Sequence, residues 1–300
     1  MEDDSFRIDL TDIDRLDPKN DRNFLNDIGK RFRKSGALWL QGVFNPELMQ
    51  SLTRAFLEKY ASLSEKEHPE LCQDVGQGDR NLYTVVLEPP FDHPDLYGSS
   101  KLLPILKTLL HEQLLIQSFG IVSARPGSKR QPLHVDHIEL FEEMPGLGRM
   151  LPSYAITVAI PLIDFNSQTG TTAIWPGSHM NPENVPDSDE NFTFENAAMP
   201  SPSAGDCMLW DFRTWHCGTP NLTHKERPLI YLSVTRTWFE DRCNYNPASG
   251  RFPLLATQRF LDDLSPDQLP LFAGAKVSDS IEKIREQKKQ TDSSVMQTPQ

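Results

Sequence analysis

The chain has 300 residues, enough for one large domain or two small ones, and a 38% hydrophobic content that suffices for a core. Its 30 basic and 42 acidic side chains give a formal charge of −12, a mean field that repels nucleic acid and anionic membranes, so neither is an expected partner. The acidic opening MEDDSFRIDL has no apolar run of a signal or transit peptide, no stretch nears the roughly 18 apolar residues of a membrane span, and Cys72, Cys207, Cys217 and Cys243 are too scattered for a disulfide framework or a cysteine zinc site, so a cytoplasmic location is expected.

In chain order, residues 22–34 place Phe24, Leu25, Ile28 and Phe32 on one helical face, and Gly36 stops that helix. ALWLQGVF, residues 37–44, reads as a short buried strand. Asn45 is placed to cap a second helix with Pro46 at its first position, and Leu48, Leu52, Ala55 and Phe56 form its apolar stripe. Residues 64–100, rich in Glu, Asp, Gly and Pro, read as a long irregular segment of the kind that forms lids. A third helix follows over 102–112. From residue 114 the runs LLIQSFGIVSA, YAITVAIPLI, TTAIW, GDCMLWDF and PLIYLSVTRTWF, divided by turn formers, predict a mainly β sandwich or barrel. Their near-continuous hydrophobicity implies strands covered on both faces, with the earlier helices able to supply one cover. Residues 277–300 read as a solvated helix fraying into a disordered tail. The expected organisation is one structural domain: a helical and lid region over 1–113, a β core over 114–245, an extension over 246–276 and the polar tail.

Three signals carry chemistry. In Arg130-Gln-Pro-Leu-His134-Val-Asp136-His137, residues two apart on a strand point the same way, so His134 and Asp136 offer an imidazole and a carboxylate to one side. His216 lies 80 residues beyond Asp136, at the end of an apolar run. Two histidines and one carboxylate leave coordination positions open on a first-row cation such as Fe(II), the facial triad of non-haem oxygenases. Each signal alone is weak, since a chance pair on the surface or a core histidine explains it. The third is Arg227, eleven residues after His216, whose fork can bind the far carboxylate of 2-oxoglutarate while the keto-acid end chelates the metal.

In order, spacing and flanks the chain resembles the phytanoyl-CoA dioxygenase family of Fe(II)/2-oxoglutarate oxygenases over residues 20–245. Gln131-Pro-Leu-His134-Val-Asp136 resembles the family's HxD segment, Gly170-Thr-Thr-Ala-Ile-Trp-Pro176-Gly177-Ser178-His179 its glycine turn and PGSH stretch, and Trp210-Asp-Phe-Arg-Thr-Trp-His216 its distal-histidine strand. Arg227 matches its cosubstrate arginine. The resemblance implies a double-stranded β-helix, a jelly roll of the cupin kind, with flanking helices and iron between its sheets. It implies Fe(II) on His134, Asp136 and His216, with 2-oxoglutarate and O2 as cosubstrates.

Thr157 and Thr172, on strands that the family folds towards the cosubstrate, and Gln131 are further candidates for holding 2-oxoglutarate; some relatives carry a serine or other donor where this chain has Gly218. His137 is expected to point away from the triad, His179 to be structural, and Cys217 to face the core. Arg80 and Tyr83, in the presumed lid, are candidates for touching substrate. The implied reaction is hydroxylation of an unactivated C–H bond of a small metabolite or natural-product intermediate, with release of succinate and CO2. Desaturation, ring closure and endoperoxide formation use the same triad. Halogenation is disfavoured because Asp136 is present. A non-catalytic metal-binding jelly roll and a zinc hydrolase on a cupin-like barrel are the readings from other classes.

Overall fold

A computed structural model of the chain describes residues 6–76, 78–137, 139–141, 143–144, 146–244 and 251–295. Strand β1 (Arg7–Asp9) precedes helix α1 (Arg22–Ser35), strand β2 (Ala37–Gln41) and helix α2 (Pro46–Lys59). The segment expected to be irregular holds β3 (Cys72–Asp74), β4 (Arg80–Thr84), β5 (Val86–Leu87) and the short α3 (Asp95–Gly98). Helix α4 (Leu102–Leu110), β6 (Leu114–Ala124), the short α5 (Leu147–Met150), β7 (Ala155–Pro161) and β8 (Thr172–Ile174) follow. The chain continues with β9 (Cys207–Asp211), β10 (His216–Gly218), β11 (Arg227–Arg236), β12 (Leu255–Ala256), α6 (Gln258–Asp263), β13 (Lys276–Val277) and α7 (Ile281–Val295).

The local signals act as their chemistry requires. Leu25, Ile28 and Phe32 bury one face of α1, each contributing on the order of 2 kcal/mol. Gly36 ends the helix at φ +71°, its N–H bonded to the Phe32 carbonyl. The Asn45 side chain accepts from the Glu47 N–H, with Pro46 at the first helical position. The α2 stripe is turned slightly from expectation: Met49, Leu52, Ala55 and Phe56 are buried and Leu48 only partly so.

The main sheet has eight strands in the order β1-β2-β9-β7-β11-β6-β4-β3, antiparallel except for the β1–β2 pair. A second layer pairs β10 with β8 and is extended by a bridge between His134 and His216. Strand β7 shows why the hydrophobic runs are continuous. Ile156, Val158 and Ile160 join the large core under the helices, whereas Ala159 packs with Ile174, Met208 and Trp210 between the two layers.

Two expectations about organisation change. The first 113 residues do not merely pack on the β core: they supply β1, β2, β3 and β4 to the main sheet. The region from 64 to 100 is not a free lid, because β4 is hydrogen-bonded along β6 inside that sheet. Asp74, Gly76, Gly78 and Asp79 mark the turn of the β3–β4 hairpin, and the strand after it is masked in the sequence by Arg80 and Asn81. The polar tail is helical over α7, docked by fully buried Ile281 and by Arg285 donating to the Glu58 and Lys59 carbonyls. Ahead of it, β12 and β13 form a small parallel sheet with β5.

The PGSH stretch ties α1 to the metal-bearing strand. The Gly177 N–H donates to Ser35, His179 Nε2 donates to the Arg33 carbonyl, and Ser178 Oγ accepts from the Trp215 N–H. Gly36 returns the contact, its carbonyl accepting from Thr214 Oγ1 and from the Asp211 N–H. A β-carbon on Gly36 would sit 2.3 Å from His179 Nδ1 and 2.7 Å from Thr214 Oγ1. Gly36→Ala is therefore expected to lower the unfolding free energy by about 2 kcal/mol or more, adding a left-handed backbone penalty to overpacking. Urea denaturation checks this, with Gly127→Ala, where the β-carbon would meet nothing within 4 Å, isolating the backbone part.

Candidate metal centre

His134 and His216 face each other across a two-way backbone bridge, the His134 N–H on the His216 carbonyl at 3.1 Å and the reverse at 2.9 Å. The ring centroids are 4.4 Å apart. Each Nδ1 is spent on a carbonyl two residues back, His134 on Pro132 at 2.8 Å and His216 on Thr214 at 2.9 Å. A carbonyl can only accept, so each Nδ1 carries the proton and each Nε2 presents a lone pair. Asp136 completes the group: one donor atom from each of the three residues lies within 4.8 Å of the others. His216 Nε2 is 3.5 Å from Asp136 Oδ1. Burial pushes the His216 pKa down to about 4, against the opposing effect of Asp136, so the imidazole is neutral and ready to ligate at neutral pH. Two imidazole nitrogens with set tautomers and one carboxylate oxygen fit a six-coordinate first-row cation with three positions left over.

The far oxygen of Asp136 is fixed by two donors. Thr157 Oγ1 bonds Oδ2 at 2.6 Å and Trp210 Nε1 bonds it at 2.7 Å. Thr157 thus spends its one proton on the metal ligand, and the Tyr231 hydroxyl stands 3.1 Å behind it as donor into the threonine. Thr157 is thereby engaged with Asp136. Trp210 and Tyr231 were not singled out from the sequence. Their signal was present in the two-residue alternation of their strands, but only the sheet order shows that those faces meet Asp136.

Arg227, at the start of β11, is 6% exposed and donates from Nη1 to the Thr169 and Thr219 carbonyls, both at 3.0 Å. Its guanidinium lies over Phe165, 5.4 Å from the ring centre. Gln131 is pinned to Gly218 by a backbone and a side-chain bond, its Oε1 accepting from the Gly218 N–H at 2.9 Å. That leaves the Gln131 amide nitrogen as the free donor end. Thr172 is the register partner of Gly218 and shares its face with Ile174, towards the space between the layers. Cys217, by the same alternation, packs on the outer side with Ala173 and Trp175.

Arg80 and Tyr83 part company. Tyr83 is 1% exposed, packs edge-on against Phe56 at 5.3 Å and accepts from Asn81 Nδ2, so it belongs to the core under α2 and not to a lid. Arg80 points to the opposite face of β4 and is buried beside Gly218 and Arg227. His137 turns away from the triad and meets Phe239 edge to face at 5.1 Å; its ring joins Asp241 and Cys243 within 4.8 Å. A cavity of about 290 Å³ opens on His134 and Asp136, with Val75, Leu82, Val122 and Phe212 among its apolar walls and Tyr231 and Asn244 among its polar ones. Among the described residues no helix is long and apolar enough to cross a membrane.

Comparison with known proteins adds three findings. The family model for phytanoyl-CoA dioxygenase matches residues 32–229. Dioxygenase af480 of Aspergillus fumigatus is 30% identical over 182 residues, 60% of this chain and 54% of that protein. Uncharacterized protein Rv1501 of Mycobacterium tuberculosis is 28% identical over 104 residues, 34% of this chain and 37% of its own length. The chain therefore spans about half or less of the curated relatives it matches. Among solved structures, the epimerase SnoN in complex with Fe3+, alpha ketoglutarate and nogalamycin RO superposes with a TM-score of 0.54 at 18% identity, covering 78% of this chain and 94% of that one. HygX from Streptomyces hygroscopicus, with nickel and 2-oxoglutarate bound, gives 0.55 at 19% identity over 74% and 93%. At such identities the likeness is one of fold, the double-stranded β-helix.

The hold of Thr157 on Asp136 has a measurable consequence. Thr157→Val keeps the volume but removes the proton, and is expected to weaken Mn(II) or Fe(II) binding by roughly 10- to 100-fold, as loss of an outer-shell partner does. Thr157→Ser should retain most of the affinity. Anaerobic metal titration of the two variants checks this.

Proposed function

Since the chain belongs to the phytanoyl-CoA dioxygenase family, we propose that it is an Fe(II)- and 2-oxoglutarate-dependent dioxygenase that hydroxylates a C–H bond of a small organic substrate. The observation that carries this reading is the convergence of two histidine Nε2 lone pairs and one oriented carboxylate oxygen at a cavity, with a buried arginine on β11 of the main sheet. Bound iron, with O2, supplies the oxidation, in which 2-oxoglutarate yields succinate and CO2.

The protein's part is binding and orientation. His134, Asp136 and His216 would hold the cation through two imidazole nitrogens and one carboxylate oxygen. Trp210 and Thr157 hold Asp136 Oδ2, so that Oδ1, on the side of His216 Nε2, would be the oxygen that binds the metal. Arg227 offers the unspent edge of its guanidinium to the distal carboxylate of the cosubstrate, and Gln131 and Thr172 supply neutral donors nearby. The apolar walls around Val75, Leu82, Val122 and Phe212 exclude water from the reacting face.

The cavity also supports a substrate class. None of its described lining residues is a lysine or arginine, so nothing there neutralises the phosphates of a CoA thioester. Its volume and mixed lining suit a neutral metabolite or natural-product intermediate with a few hydroxyl or carbonyl groups. The complete HxD carboxylate supports hydroxylation over halogenation, and the buried arginine supports an oxygenase over a zinc hydrolase.

Oxygen uptake and succinate formation with Fe(II) and 2-oxoglutarate test the reading. Asp136→Gly is expected to abolish both while leaving the circular dichroism spectrum near that of the parent; full turnover in this variant would remove the triad from the chemistry. Arg227→Ala is expected to weaken 2-oxoglutarate binding by on the order of 100-fold or more, the result of losing about 2–5 kcal/mol from a buried charge pair. Arg227→Lys should recover only part, since an ammonium lacks the planar fork. An unchanged cosubstrate titration in both variants would separate Arg227 from the site.

A further inference from the structure

Among the described residues a second group of side chains, besides the triad, brings three metal-binding atoms together. A ring nitrogen of His137, a carboxylate oxygen of Asp241 and the sulfur of Cys243 lie within 4.8 Å of one another. They come from two segments that meet beside the triad: the end of the His134–His137 run and the stretch that follows β11. The chain's scattered cysteines exclude a site built of several thiolates, but here one sulfur is joined by an imidazole and a carboxylate. Zinc accepts that mixed set, because its d-shell imposes no geometry and it binds sulfur, nitrogen and oxygen alike. The triad has no sulfur, so the two groups differ in the cation each prefers.

Neighbours hold two of the three groups in place. Phe239 meets the His137 ring edge to face at 5.1 Å. Asp241 is buried, its Oδ1 accepting from the Cys243 and Asn244 N–H groups, each at 3.0 Å, and its Oδ2 from Asn244 Nδ2 at 2.8 Å. These amide donors orient the carboxylate but bring no positive charge to it, and a buried charge is best stabilised by a partner of opposite sign or by a metal. The bond from the Cys243 N–H also closes a tight turn that keeps Cys243 beside the carboxylate. Cys243 is exposed, whereas Cys72, Cys207 and Cys217 are buried, so it is the thiol that a cation in solution reaches. On a tetrahedral zinc with bonds of about 2.0 to 2.3 Å the ligand atoms stand roughly 3.5 Å apart, so the group must close by about an ångström, which rotation of the exposed Cys243 side chain supplies.

We propose that His137, Asp241 and Cys243 form a second metal site, one for Zn(II), separate from the triad. Binding exchanges the Cys243 thiol proton for a sulfur–zinc bond; the proton passes to solvent and no group changes oxidation state. A fourth position stays open to water. The site does not depend on the 2-oxoglutarate reading, yet it lies against the triad. His137 follows Asp136 in the chain, and Asn244 Nδ2, which holds the Asp241 carboxylate, also donates to the Asp136 carbonyl at 2.7 Å. Asp241 and Cys243 line the cavity that opens on His134 and Asp136. Zinc held there takes up part of that cavity without using a triad ligand.

Titration of the full-length protein with Co(II) tests the site, because a thiolate on Co(II) gives a sulfur-to-metal charge-transfer band that nitrogen and oxygen ligands do not. Wild-type protein is expected to show that band, and excess Zn(II) to abolish it. Cys243→Ser is expected to lose the band and still bind Co(II) through the triad. His137→Phe, which keeps an aromatic ring against Phe239, is expected to raise the Co(II) concentration that gives the half-maximal band by on the order of tenfold or more, since losing an outer-shell partner alone does as much. Asp136→Gly, which takes a ligand from the triad, is expected to keep the band. Wild-type protein without the band, a band that survives in Cys243→Ser, or one that excess Zn(II) leaves in place would overturn the proposal. An unshifted titration in His137→Phe would mark a thiol that takes cobalt by itself, and loss of the band in Asp136→Gly would make Cys243 an added ligand of the triad's metal; either result overturns it too.

Discussion

The metal centre depends on two backbone carbonyls. Pro132 and Thr214 each hold the Nδ1 of the histidine two residues ahead, and by doing so choose the tautomer that turns Nε2 towards Asp136. Because the carbonyls belong to the two segments joined by the His134–His216 bridge, ligand orientation is a property of strand pairing. A histidine in the same place without that bond would be free to rotate or to protonate. Burial of His216 reinforces the choice by disfavouring the imidazolium.

The surrounding structure can be read as support for that bridge. Trp210 and Thr157 fix Asp136 from the main sheet, while the PGSH turn and the end of α1 grip the Asp211–Trp215 segment that leads into His216. The second sheet is only three residues long in each of β8 and β10, too short to hold a register unaided. Gly36 matters in this light because it lets the α1 terminus approach Thr214 and His179 more closely than any β-carbon would allow. The span from helix to the His216 strand is thus carried by backbone groups, the side chains of Ser178, His179 and Thr214, and one glycine.

The electrostatics divide the interior in two. In the cavity beside the triad the described lining groups of fixed charge are carboxylates, Asp136 and Asp241. On the adjoining face two guanidiniums stand with backbone carbonyls as partners. A molecule that is a chelating keto acid at one end and a carboxylate at the other matches this polarity end to end. The overall charge of −12 shows none of this, since the field that matters is a few ångströms across.

The sequence by itself determined the chemistry-bearing residues and the local elements. Short-range spacing was enough to place His134 and Asp136 on one side, α1 before Gly36 and α2 after Asn45, because helix caps and the two-residue alternation of strands are local rules. It also carried the motif order that pointed to a double-stranded β-helix. What only the tertiary structure decided was which face met which. The Gly- and Asp-rich composition of 64–100 masked β3 and β4, since a hairpin turn and a loop share the same residues. Thr157 looked free for the cosubstrate until strand order set it against Asp136, and Tyr83 looked available to substrate until it turned to Phe56. The pairing of Arg80 with Arg227 lies furthest from local reading. Those residues are brought together by a common register partner, Ala124, and register is set by hydrogen bonds between strands distant in the chain.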